Sequence, residues 1–183
     1  IRSLITSFIS GVEAVFGDMI AKKEFSNLKN KFGGFELYYY TLMAVIFSCL
    51  YNLMMPFIKI YTVNFNDANY INVTFAILFI TAELFYSIRR PYNSLVMAGG
   101  FFKETKKGAF IEAILNVLLS LVLVSRFGLI GVAIGTLISI FVRTVEIIFF
   151  SSKFILKRSI LVSFKKILVL IVECIICIYI SKY

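Results

Sequence analysis

Arg89 and Arg90 stand against Pro91 at the end of a strongly apolar run, in RRPYNSLVMAGGFFKETKKGAFIEAILN. Guanidinium groups form bidentate hydrogen bonds with oxyanions, so such a pair is chemistry that could hold an anion. Glu83 precedes Arg90 by seven residues, two helical turns, which places both on one helix face about 10 Å apart; Arg89 falls about 120° away from Glu83. Glu112 and Asn116 are spaced i, i+4 and share a face of the next helix. A charge at the centre of a bilayer costs about 2.5–3.5 kcal/mol on insertion scales, so each of these groups is expected to face a cavity or a partner. The expected division of work puts Arg90 in the cavity, Arg89 at the interface, and Glu83 in a tuning or ion-coupling role. The plainer reading of both arginines is that they anchor the helix end.

Two further sites carry charge in apolar surroundings. Arg143 and Glu146, spaced i, i+3, read as a self-neutralising pair, and Arg143 can also snorkel to the surface. Glu173 lies mid-helix and marks a helix packed on another. The chain has no histidine, which excludes His-based catalysis, metal ligation and proton relay. Cys174 and Cys177 form a CxxC inside an apolar run, and with Cys49 they fall short of the four ligands of a structural zinc site. The sequence lacks GxxxxGK[ST] and any recognisable catalytic constellation, so no enzyme activity and no cofactor is expected.

The elements that must position these groups are membrane helices. Of 183 residues 60% are apolar, and the mean hydropathy is +0.93, more apolar side chain than a water-soluble core absorbs. Full-length apolar runs cover 35–58, 70–98, 109–125, 129–150 and 164–180, each near the length that spans a bilayer. Residues 1–21 read as a weaker, more polar helix that lines an interior. Pro91 is expected to kink the 70–98 helix, with Gly99–Gly100 as its flexible exit; the other reading ends the helix near Arg90. Gly128, Gly131 and Gly135 permit close helix contact of the small-xxx-small type.

Lys and Arg number 19 against 10 Asp and Glu, and they gather in alternate gaps. Gap 22–32 holds Lys22, Lys23, Lys29 and Lys31; gap 99–108 holds Lys103, Lys106 and Lys107; gap 151–166 holds Lys153, Lys157, Arg158, Lys165 and Lys166. The other gaps carry little: Lys59 and Asp67, Arg126, and Lys182 at the end. Positive charge in short loops marks the cytoplasmic side, so these three gaps are expected to be cytoplasmic. The pattern is one of membrane topology and not of nucleic-acid binding. The chain is expected to be an internal or C-terminal piece of a larger polytopic protein.

Residues 89–139 resemble the second half of Wzx-type bacterial polysaccharide flippases, in the multidrug/oligosaccharidyl-lipid/polysaccharide flippase superfamily. The matching features are the arginine-bearing turn Arg89–Asn93, the stretch Gly99–Thr105, Asn116, and the glycine-rich Gly128–Thr136. Residues 56–70 resemble the family's external loop and 10–32 its preceding cytoplasmic connection. The chain departs from the related lipid II flippases, which carry Thr-Pro where Thr105 is followed by Lys106. The resemblance implies an all-α, polytopic transmembrane bundle, the second lobe of a two-lobed fold. Residues 1–150 would form most of a C-terminal six-helix lobe, with the first helix open to truncation, and 151–183 a cytoplasmic linker and one additional transmembrane helix. It implies translocation of undecaprenyl-pyrophosphate-linked oligosaccharide in a bacterial cytoplasmic membrane. Its partners would be that substrate, membrane lipids, a missing N-terminal lobe and polysaccharide polymerase machinery, with no nucleic acid. The candidate substrate-binding residues are Arg90, Arg89, Glu83, Glu112 and Asn116. Two other readings stay open: a multidrug extruder of the same superfamily, and a non-transporting scaffold for polysaccharide assembly.

Overall fold

The computed structural model describes residues 2–63 and 72–180, with the side chains of 2–8 and 10 left aside; Asp67 and Lys182 lie outside the described residues. The chain is an all-α bundle, and the described residues contain no strand. The helices are α1 (Arg2–Ala21), α2 (Phe25–Tyr61), α3 (Val73–Ile88), α4 (Arg90–Ala98), α5 (Phe102–Phe127), α6 (Leu129–Phe150) and α7 (Ile160–Ile180), with a π-helical turn, Ser151–Ile155, after α6. Among the described residues, three stretches are long and apolar enough to cross a membrane: Phe25–Tyr61, Phe102–Phe127 and Leu129–Ile155. The protein is a membrane protein. Its outer surface agrees, since α5 buries only Thr105 and Gly108 and presents Phe110, Val117, Leu121 and Val122 outward.

The basic gaps are shorter than their charge pattern suggests, because lysine tolerates helix well and only a φ-positive residue is needed to turn. The first connection narrows to Lys22–Glu24, with Lys23 at φ 60°. The hydrogen bond from Lys22 to Asp18, together with their charge attraction, raises the Lys22 pKa. The second connection is Gly99–Phe101, with Gly100 at φ 71°. Four contacts put all three basic gaps at one end of the bundle. Phe16 packs on Phe32, Phe101 on Phe150, Gly17 on Ala98, and the Lys166 ammonium donates to the Gly33 carbonyl at 2.6 Å.

The 70–98 run is not one helix. The Asn72 side chain caps the start of α3 by accepting from the Phe75 N–H. The interruption falls at Arg89, and Pro91 occupies the first turn of α4, where its missing N–H costs nothing. Proline cannot donate to the carbonyl four residues back, Ser87, and the Tyr39 hydroxyl donates to it at 2.9 Å instead. The Tyr40 hydroxyl donates to the Ile88 carbonyl beside it. Both tyrosines belong to α2, so the break is held by a neighbouring helix.

α5 and α6 form the closest helix pair. Gly131 lies against the backbone of Leu123, and a Cβ at Gly135 would stand 2.8 Å from the Ser120 nitrogen, so neither position has room for a side chain. The turn between the two helices is Gly128, at φ 55°. α7 packs along α2, where the Ser48 hydroxyl donates to the Cys174 carbonyl and the Cys174 thiol to the Ala44 carbonyl. The three cysteines are free thiols.

Candidate functional site

The break between α3 and α4 sets Arg89 and Arg90 on different tasks. Arg89, expected at the interface, is 8% exposed. Its guanidinium bonds Glu112 of α5 at 2.8 Å and lies over the Tyr86 ring, while its buried Nε has no hydrogen-bond partner. Glu112 also faces the Arg143 Nε at 3.9 Å, and Arg143 bonds Glu146 at 2.6 Å. Arg89, Glu112, Arg143 and Glu146 thus form one chain of alternating charge across three helical segments. The local pair read from the i, i+3 spacing of Arg143 and Glu146 is present, as one end of this larger group. Gly108 admits it: the Glu146 carboxylate occupies the space where a side chain at 108 would stand.

Beside this group lies a cavity of about 420 Å³. Its polar lining is Glu13 of α1, Arg90, Asn93 and Ser94 of α4, Thr105 of α5 and Arg143 of α6. Two guanidinium groups and three neutral hydrogen-bonding side chains therefore converge on one space, with a single carboxylate from the more polar first helix. Such a lining suits an anion with several oxygens.

The remaining candidates fall elsewhere. Glu83 is half-buried on α3 and does not line this cavity, although a continuous helix would have placed it on the Arg90 face. The interruption at Arg89 removes that premise. Asn116 shares a helix with Glu112, but its carboxamide oxygen accepts from Ser120 and lies outside the ionic chain. Glu173 on α7 has one buried carboxylate oxygen without a hydrogen-bond partner.

A second ionic centre had no place in the sequence reading. Glu36 of α2 is wholly buried. Arg158 donates to both of its oxygens, at 3.0 and 2.9 Å, Lys166 donates at 2.8 Å, and the Tyr92 hydroxyl also donates to it. Arg158 further donates to Ser163, which is paired with Ser152. The charge pattern places Arg158 and Lys166 in the cytoplasmic gap 151–166. Arg158 is instead 8% exposed, because the short link between the π-turn and α7 folds it inward against Phe32. The overlooked signal is Glu36 itself, a carboxylate one residue inside an apolar run.

Among the described residues, no group of three or more His, Cys, Asp or Glu is placed to hold a metal ion. Comparison with protein-family models, with curated proteins and with solved structures finds no match for this chain.

Proposed function

We propose that the chain is one lobe of a flippase that moves an anionic lipid-linked oligosaccharide across a bacterial cytoplasmic membrane, the undecaprenyl-pyrophosphate type being the substrate class implied by its resemblance to Wzx-type proteins. The observation that carries this reading is the convergence of Arg90 and Arg143 on one cavity within a membrane bundle. A pyrophosphate offers oxygens to the Arg90 fork and to the N–H groups of Arg143 beyond its pairs with Glu146 and Glu112, and the Asn93 carboxamide adds a neutral donor. Arg89 and Glu112 form the adjoining support. A missing N-terminal lobe would close the other side of the path, and rocking of two lobes about a fixed site would give alternating access. A cationic drug would meet two guanidinium groups here, which disfavours the multidrug reading.

The test is translocation of lipid-linked oligosaccharide by the full-length protein, with insertion and expression matched between variants. Arg90→Ala is expected to lower the rate at least tenfold, and Arg90→Lys to fall between it and the parent, because the ammonium keeps the charge and loses the fork. Parental rates for both variants would reduce Arg90 to an anchor and remove this reading of the cavity.

A further inference from the structure

The cavity depends on α4, a helix of nine residues that supplies Arg90, Asn93 and Ser94 to its lining. A helix this short has little stability of its own and takes its position from what it touches. Its opposite side buries Tyr92 completely. The Tyr92 hydroxyl ends on Glu36, and the Tyr92 carbonyl accepts from Ser151. Glu36 is itself fixed by Arg158 and Lys166. α4 is therefore tied at one side to a buried ionic centre built from α2, α7 and the link before α7, and opens on the cavity at the other.

We infer that Glu36 and Tyr92 are positioning residues for the cavity, holding α4 where Arg90 and Asn93 meet an anionic headgroup. The inference rests on the anion-binding reading of the cavity. It assigns α7 a role in the site although none of its residues lines it. Arg158 and Lys166 bring two positive charges to the one carboxylate that accepts from Tyr92. Undocking α7 removes the Lys166 ammonium and the Ser163 hydroxyl that holds Arg158, and so leaves the buried carboxylate less well paired, an arrangement that burial disfavours.

The experiment reads the α4 position and ligand affinity separately. A Cβ built at Gly17 lies 3.9 Å from the Ala98 Cβ, within the range of a disulfide. Gly17→Cys with Ala98→Cys, in a background of Cys49→Ser, Cys174→Ala and Cys177→Ala, reports how often α4 sits against α1. The full chain is studied in lipid nanodiscs, with a radiolabelled isoprenyl pyrophosphate as probe. Tyr92→Phe removes one hydroxyl and keeps the ring, and Glu36→Gln keeps the shape and removes the charge. Both are expected to slow cross-linking several-fold and to weaken probe binding about tenfold, the scale of one charged hydrogen bond. Saturating probe is expected to restore cross-linking, since a ligand that prefers the placed helix must also stabilise that placement.

Unchanged cross-linking in both variants overturns the inference. So does slowed cross-linking that probe at saturation fails to restore, which would make the contact structural only. Arg90→Ala separates the two claims: if it leaves probe binding intact, the cavity is not the anion site, and this inference falls with it even where cross-linking shows that α4 has moved.

Discussion

Glu112 of α5 and Arg89, at the break between α3 and α4, meet in a 2.8 Å ion pair that leaves the Arg89 Nε buried and unpartnered. The carboxylate serves two arginines, since Arg143 stands on its other oxygen. Glu112→Gln is expected to destabilise the fold by about 1.5–3 kcal/mol, the worth of hydrogen bonds to charged groups, as measured by denaturation in detergent. Glu112→Asp keeps the charge but shortens the reach, and should fall between the two.

Gly108 and Glu146 occupy one space. Gly108→Ala should therefore push the Glu146 carboxylate away and loosen the Arg143 pair. A double-mutant cycle with Glu146→Gln is the check: the cost of Gly108→Ala should shrink in the Glu146→Gln background, where the charge to be displaced is gone.

Gly131 and Gly135 set the spacing of α5 and α6. Gly135→Val is expected to cost at least about 1–3 kcal/mol, as overpacking does, because the obstruction is helix backbone rather than a flexible side chain. Gly11→Val serves as the control, since nothing lies within 4 Å of a Cβ there. A lower melting temperature for the first alone is the expected result.

The tyrosine hydroxyls at the α3–α4 break provide another measurable contribution. Tyr39→Phe leaves the buried Ser87 carbonyl without the donor that replaced the missing proline N–H. The expected loss is about 0.5–1.5 kcal/mol, the net worth of one hydrogen bond, since the Arg89 N–H is also directed at that carbonyl. Tyr38→Phe, at an exposed position, should be silent.

Sidedness follows from the basic gaps. Cysteines at Lys31, Lys106 and Lys157 should react with a membrane-impermeant maleimide from one side of the bilayer, and a cysteine at Lys59 from the other. Labelling of Lys106→Cys and Lys59→Cys from the same side would reverse the arrangement.

The helical architecture and the clustering of the basic gaps were legible because both follow from local composition: long apolar runs, and lysines between them. The glycine seam was legible as a spacing, since Gly131 and Gly135 announce a close approach without saying which helix makes it. Contacts between distant segments were not legible. Glu36 is 122 residues from Arg158 and 130 from Lys166, and no periodicity connects them. The same holds for Arg89. A helix read as continuous through Pro91 gave it an outward place, whereas the break and the carboxylate of α5 turn it inward.

The length of α2 has a consequence for where the Glu36 centre lies in the membrane. Its 37 residues extend about 55 Å, against roughly 30 Å of hydrocarbon. Upright it would overshoot by nearly half, and even a tilt of about 40°, the steep end of what membrane helices adopt, accommodates only about 39 Å, or some 26 residues. About 11 residues must stand outside the lipid tails; with Lys59 outside at the C-terminal end, about 26 residues reach back from Ile58 to Gly33, and Lys29 and Lys31 stand outside at the N-terminal end. The hydrocarbon then begins near Glu36. The ionic centre sits at the depth where water gives way to lipid, so that movement of α7 by a single turn would carry Lys166 across that boundary.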